Sequence, residues 1–239
     1  MKNNQNLLKL AVLAMLIALG VVISPILRFE GMCPMAHLIN ITCSVLMGPW
    51  CSLLCATVIG VIRMLTMAIP PIALTGAVFG AFLSGILYRA SKGSLIMAFL
   101  GEVFGTGVVG ALLSYPVMSF IWGKSDINLF FYLPTFIPGT LIGGSIAYVF
   151  LKKLSSNGML SYFQKKLSGF AYEDKSTALG NALFIAAFGV ICYVVIRLLT
   201  GFFKMTSPVW GVLSYVALAV FAVAAIIFYF AKRDVKNDK

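Results

Sequence analysis

Charged residues are scarce in this 239-residue chain, and acidic ones are almost missing. Charged residues make up 10% of the sequence, and only seven residues are Asp or Glu. An average soluble domain carries roughly 25% charged residues. Hydrophobic residues reach 61%, and the mean hydropathy is +1.00. This composition excludes a soluble globular protein and predicts an all-α fold, a polytopic membrane helical bundle.

Cysteine is also sparse, and its pattern excludes two common classes of site. The count of five is odd and four of the five lie in apolar runs, so no disulfide framework is expected. Cys51 and Cys55 share a helix face, but no second pair completes a metal site. Gly123-Lys124-Ser125 ends like a phosphate-binding loop, yet Met118 stands where that loop needs glycine. We therefore predict no metal, no cofactor and no ATP hydrolysis by this chain.

Long apolar runs dominate the rest of the sequence. A helix needs about 20 apolar residues to cross a bilayer. The second run is much shorter and ends before Gly48-Pro49, so its length alone fits either a short crossing or a re-entrant segment. The runs cover about 7–27, 36–47, 50–69, 72–88, 95–121, 129–151, 178–200 and 209–231.

The placement of the basic residues favours eight crossings. With the N-terminus inside, 13 of the 18 Lys and Arg residues fall on the inner side, and Arg63 and Arg197 lie within runs. The outer loops hold only Arg28, Lys124 and Lys204. By the positive-inside rule, this predicts a multi-pass plasma-membrane protein with both termini cytoplasmic. The net charge of +11 thus reflects topology and does not indicate nucleic-acid binding.

A polar segment divides the chain. We expect residues 1–153 to form a six-span substrate-binding core and 154–178 to be a cytoplasmic linker, with a short interfacial helix near 159–167. Residues 179–239 read as an appended two-span hairpin with a basic tail. The polar residues that could carry chemistry concentrate in the first six runs.

Glu102 is the only acidic residue in any apolar run. A carboxylate at bilayer depth is costly, so it indicates a functional site facing a protein interior or a water-filled cavity. At 1.5 Å per residue, Glu102 lies about 10–12 Å from the inner end of its run. His37 and Asn40, at i and i+3, share a helix face, and Arg63 lies near the outer end of the third run. One small-molecule site that opens outward accounts for all four residues.

Two further residues complete the predicted site. Thr106 lies one turn beyond Glu102 on the same face, and Tyr132 begins the sixth run from outside, with Phe136 as a further aromatic wall. We expect Glu102 to accept a hydrogen bond from the ligand, with Arg63 as its partner or as a gate; His37 and Asn40 would orient the ligand. The simpler readings are a snorkelling Arg63, a helix-start His37 and a structural Glu102.

The first run carries a stripe of small residues. Ala11, Ala14 and Ala18 allow another helix to approach closely. From spacing alone, docking of a partner protein and internal packing fit equally well.

Several segments together resemble a known family. They are PMAHLIN at 34–40, LMGPW at 46–50, Arg63, GEVFGTG at 101–107 and ALLSYP at 111–116. Over roughly residues 7–153 the chain resembles the substrate-binding S components of energy-coupling-factor (ECF) vitamin importers, above all the ThiW type.

The resemblance implies a six-helix S component that captures a small molecule from outside. It would dock through its alanine stripe on a transmembrane T component that carries two cytoplasmic ATPases. The ThiW type is assigned to hydroxyethylthiazole, the thiazole precursor of thiamin. We therefore predict a transport subunit with no catalytic residues. The alternatives are an S component for another vitamin, a proton-coupled carrier, and a membrane enzyme using Glu102 and His37 as acid and base.

Overall fold

The computed structural model describes residues 2–26, 28, 33–172, 178–202 and 207–237. Within these residues every regular element is a helix, so the predicted all-α class is confirmed. The helices are α1 (Lys2–Ile23), α2 (Pro34–Met47), α3 (Pro49–Met67), α4 (Ile72–Ala90), α5 (Leu95–Phe104), α6 (Ala111–Pro116), α7 (Leu133–Ser156), α8 (Met159–Ser168), α9 (Ala178–Phe202) and α10 (Pro208–Asn237).

The helix that carries Glu102 alternates between α-helical and π-helical geometry along its length. π-helical turns at Gly105–Gly110 and Val117–Ile121 flank α6, so α5 continues as one 27-residue span, Leu95–Ile121. Single π-helical turns inside α-helices occur frequently at functional sites. Here the first of them follows directly on the turn that holds Glu102.

The chain is a multi-pass membrane protein. In the described residues six helices are long and apolar enough to cross a bilayer, and each of the eight predicted runs lies largely on a helix. The two shorter apolar helices are Pro34–Met47 and the stretch Ala178–Val194 of α9. Crossing by these two, and hence the full set of eight spans, stays a prediction.

The short helix α2 lies at the centre of the helices that the first six apolar runs form. Twelve of its 14 residues are buried, and it packs against α1, α3, α4, α5, α7 and α8. A helix that is apolar on all sides belongs in a protein interior. Neighbouring helices, rather than lipid, therefore surround the polar groups of His37 and Asn40.

The helices α4 and α5 approach closely because glycine stands where they meet. A Cβ atom on Gly101 would lie 2.7 Å from the Cα of Ser84, and one on Gly105 would lie 2.6 Å from the Cα of Gly80. Small residues of this kind allow membrane helices to pack backbone against backbone. This contact brings Glu102 against α4.

The predicted short helix after α7 is α8, and it is fixed to the C-terminal ends of α2 and α4. Gln164 is 1% exposed. Its Nε2 donates to the carbonyl of Val45 at 2.9 Å and contacts the Tyr88 hydroxyl at 2.8 Å. Its Oε1 accepts from the backbone N–H of Tyr172 at 3.1 Å. Every hydrogen-bonding atom of this buried amide is thereby engaged.

The chain divides into two compact units, Met1–Lys175 and Ser176–Lys239. In the second unit α9 and α10 pack along each other as an antiparallel hairpin. Phe188 meets Phe221 with ring centroids 5.6 Å apart, and Tyr193 meets Tyr215 at 5.4 Å. The candidate functional residues all belong to the first unit.

Candidate functional site

Three side chains converge on one oxygen of Glu102. The Oε1 atom lies 2.8 Å from His37 Nδ1, 3.0 Å from Asn40 Nδ2 and 3.2 Å from Thr106 Oγ1. Glu102 is 0% exposed, and its other carboxylate oxygen, Oε2, is buried without a hydrogen-bond partner among the described residues. Four of the six residues expected at the ligand site thus form one buried network.

The local sequence explains this convergence. The i, i+3 spacing places His37 and Asn40 on the same face of α2, and the i, i+4 spacing places Thr106 over Glu102. Gly80 on α4 supplies the space, since a Cβ there would overlap Thr106 Oγ1 and lie 2.8 Å from Glu102 Cδ. The network therefore requires glycine at position 80 as well as its polar side chains.

The carboxylate fixes the orientation of the imidazole. The hydrogen bond to Glu102 engages Nδ1 of His37, so the second ring nitrogen, Nε2, is the atom available to a ligand. Hydrogen bonds to an ionised acceptor are stronger than neutral ones. Glu102 thereby holds the ring of His37, which lines a cavity, in one position.

A cavity of about 70 Å³ lies beside this network. It sits where α2, α4 and α7 begin and α3 ends, at the opposite end of the bundle from α8. At about 10–15 Å³ per water it has room for about five water molecules. Its walls are mostly apolar, with a few polar groups, as is usual for small-molecule sites. The lining residues are Arg28, Cys33, Ala36, His37, Arg63, Ile69, Ile72, Ala73, Gly76, Ala77, Thr106, Thr135 and Phe136.

The structure places three of the expected site residues differently from the rest. Glu102 and Asn40 are not among the cavity-lining residues; they lie behind His37 and Thr106. Tyr132 does not line the cavity either, because its ring packs against Phe136 with centroids 5.8 Å apart. This position favours an orienting role for Glu102 over the direct contact with ligand expected from the sequence.

Arg63 lines the cavity without pairing to Glu102. It is 5% exposed, and its Nε atom is buried with no hydrogen-bond partner. Among the described residues the ion-pair contact of Glu102 is with His37. Such burial does not fit an arginine that snorkels to the headgroups. The expected Arg63–Glu102 pair is therefore not formed, and a cavity role for Arg63 stays a prediction.

Residues 10–157 match the family model of the thiamine-precursor transporter protein, ThiW. This stretch covers more than half of the chain and contains every residue of the buried network and the cavity. The chain belongs to the ThiW family. Comparisons with curated proteins and with solved structures gave no significant match. Membership in ThiW makes the chain a transporter of thiamine precursors, and α9 and α10 lie beyond the matched residues.

The alanine stripe of this ThiW protein faces away from its own core. Ala11, Ala14 and Ala18 are exposed, whereas Leu16 and Gly20 on the opposite side of α1 are buried. Two residues along a helix correspond to about 200° of rotation. Among the described residues, therefore, none covers the stripe, and docking of a partner there stays a prediction.

Sequence reasoning missed several residues of the ThiW cavity. Arg28 was counted only as an outer-loop charge, and neither Cys33 nor Thr135 was singled out. Thr135 lies within one turn of Tyr132, so the helical spacing of α7 could have indicated it. No sequence pattern indicates Gly80 as a site residue, because glycine contributes here by having no side chain.

Proposed function

We propose that this ThiW-family protein is the substrate-capture subunit of an ECF-type importer and binds hydroxyethylthiazole. The observation that carries the proposal is a small cavity whose polar wall, His37 and Thr106, is held in place by the buried carboxylate of Glu102. Such a preorganised wall binds a ligand without first paying to order its own side chains.

The chemistry of the ligand suits this wall. Hydroxyethylthiazole is a single aromatic ring with a two-carbon arm that ends in a hydroxyl. That hydroxyl can form a hydrogen bond with His37 Nε2, and the Thr106 hydroxyl can donate or accept. Phe136 and the aliphatic walls suit the faces of the ring. A single-ring ligand is also the size class that a cavity of about 70 Å³ accommodates.

Energy would come from partner subunits. The chain lacks a phosphate-binding loop, and its exposed alanine stripe supports docking on a transmembrane T component with two cytoplasmic ATPases. The buried His37–Glu102 contact also suits a proton-coupled carrier, which is the second candidate. That carrier would accumulate hydroxyethylthiazole in proteoliposomes of the purified chain under a proton gradient, whereas a capture subunit would not.

Binding of hydroxyethylthiazole to the purified protein tests the substrate. We expect one ligand per chain with micromolar affinity or tighter, measured by isothermal titration calorimetry in detergent or nanodiscs. The pyrimidine precursor of thiamin is the matched control, because it shares the pathway product but not the thiazole ring. Equal affinity for both rings, or no heat with either, contradicts the proposal.

The proposed orientation has its own test. In a cysteine-free parent chain, Asn157→Cys should react with a membrane-impermeant maleimide only after permeabilisation, because α8 and the linker are expected inside. Ser125→Cys is the matched control, since both positions are exposed and position 125 is expected in an outer loop. Strong labelling at position 157 in intact cells excludes cytoplasmic placement of the linker.

A further inference from the structure

The charged groups around the cavity are all cationic. Arg28 and Arg63 line it, and the described lining residues include no Asp or Glu. The other polar side chains of the lining belong to Cys33, His37, Thr106 and Thr135. A cavity of this kind attracts acceptors and anions and repels a cationic ring.

Of the residues that line the cavity, Arg63 most needs a hydrogen-bond acceptor for its charged side chain. Its side chain is among the buried charged groups, and its Nε has no hydrogen-bond partner. An unpaired charge in a desolvated setting is costly, so buried guanidinium groups are normally paired. Because Arg63 lines the cavity, an occupant of the cavity can supply the missing acceptor.

Glu102 does not meet this demand. It stands behind the wall formed by His37 and Thr106, and its Oε1 already faces three donors. No described residue forms an ion pair with either Arg63 or Arg28 at 4 Å or less. The hydrogen-bond acceptor for Arg63 must then come from a group other than the described lining residues.

We propose that Arg63, with the exposed Arg28 that lines the same cavity, forms an oxyanion subsite. The preferred ligand would then be a thiazole that carries a carboxylate or a phosphate ester, rather than the uncharged alcohol. A guanidinium group matches either oxyanion, because its planar fork donates two parallel hydrogen bonds. This inference rests on the proposed function, since it assumes that the cavity is the thiazole site, and it names the chemical class of ligand.

Three ligands test the subsite: hydroxyethylthiazole, its phosphate monoester and a thiazole carboxylate. On the unmodified chain we expect at least one anion to bind about tenfold or more tightly than the alcohol, as charged hydrogen bonds allow. Arg63→Gln should lower the affinity for the anions by about tenfold or more and the affinity for the alcohol by much less, so that the advantage of the anions is lost. The matched control is Lys124→Gln, which removes the same charge from an exposed outer position that does not line the cavity.

The outcomes separate the two proposals. If the alcohol binds as tightly as both anions, or if Arg63→Gln weakens alcohol and anions equally, the subsite is excluded and the thiazole function stands. If none of the three thiazoles binds, the proposed function fails as well. If Arg63→Gln does not fold, the ranking of the three ligands on the unmodified chain decides. Arg63→Lys then supplies the second variant, because lysine keeps the positive charge but lacks the planar guanidinium group.

Discussion

Replacing Glu102 by glutamine is expected to weaken hydroxyethylthiazole binding by about tenfold or more. The charge-assisted hydrogen bonds that hold His37 and Thr106 at the cavity wall become neutral ones, so ligand binding must then order these side chains. The glutamine amide also brings donors to a site already surrounded by donors from His37, Asn40 and Thr106. The imidazole then loses its fixed orientation at the cavity wall. Calorimetry gives the affinity, and a melting temperature is measured on the same sample.

The control for this variant is Ser84→Ala. Ser84 is buried on α4 and hydrogen-bonds Ser44 of α2 at 2.8 Å, outside the Glu102 network. Its loss removes a polar contact that α2 makes with α4 instead of with α5, so we expect a small drop in melting temperature and unchanged affinity. Unchanged affinity in Glu102→Gln together with a collapsed melting temperature would make Glu102 a purely structural residue.

Leucine at Ala14 or Ala18 is expected to abolish uptake of the precursor and to leave its binding unchanged. Both alanines are exposed on the side of α1 that faces away from the core. A leucine side chain there holds a partner helix away, and close approach is what small residues provide. The measurement is uptake of labelled hydroxyethylthiazole by cells that produce the complete importer, compared with binding to the purified subunit.

A bulky change elsewhere on α1 controls for non-specific effects. Leu19→Phe adds volume to a side chain that is 50% exposed and lies about 100° around the helix from Ala18. It should preserve both binding and uptake. If Ala14→Leu and Ala18→Leu leave uptake intact, the alanine stripe is not a docking surface; equal loss of binding and uptake would mean that the leucines disturb the fold.

The fold could be predicted from the sequence because few backbone structures are stable inside a lipid bilayer. Apolar runs that long must become helices, since backbone groups in a bilayer have to pair within the segment. The role of α2 was harder to foresee. Its run looked too short to cross by itself, and only the packing of six neighbouring helices around it shows why it carries so many buried residues.

Part of the site could be predicted for a similar reason. Intramembrane polar residues are few, so the spacing of His37 and Asn40 and the solitary Glu102 pointed to one network. Helical periodicity gives the face of a residue but not its distance to another helix. For that reason the sequence leaves Arg63 as a partner of Glu102 or as a gate, whereas the structure pairs Glu102 with His37.

The uneven bonding of the Glu102 carboxylate should be visible in its vibrations. Oε1 faces three donors and Oε2 faces none, so the two carbon–oxygen bonds differ in order. The antisymmetric and symmetric stretching bands then move apart compared with those of a carboxylate in water. With only seven acidic side chains in the sequence, an infrared difference spectrum against Glu102→Gln can isolate this pair of bands. Their shift on addition of ligand reports directly on His37 through the bond it shares with Glu102.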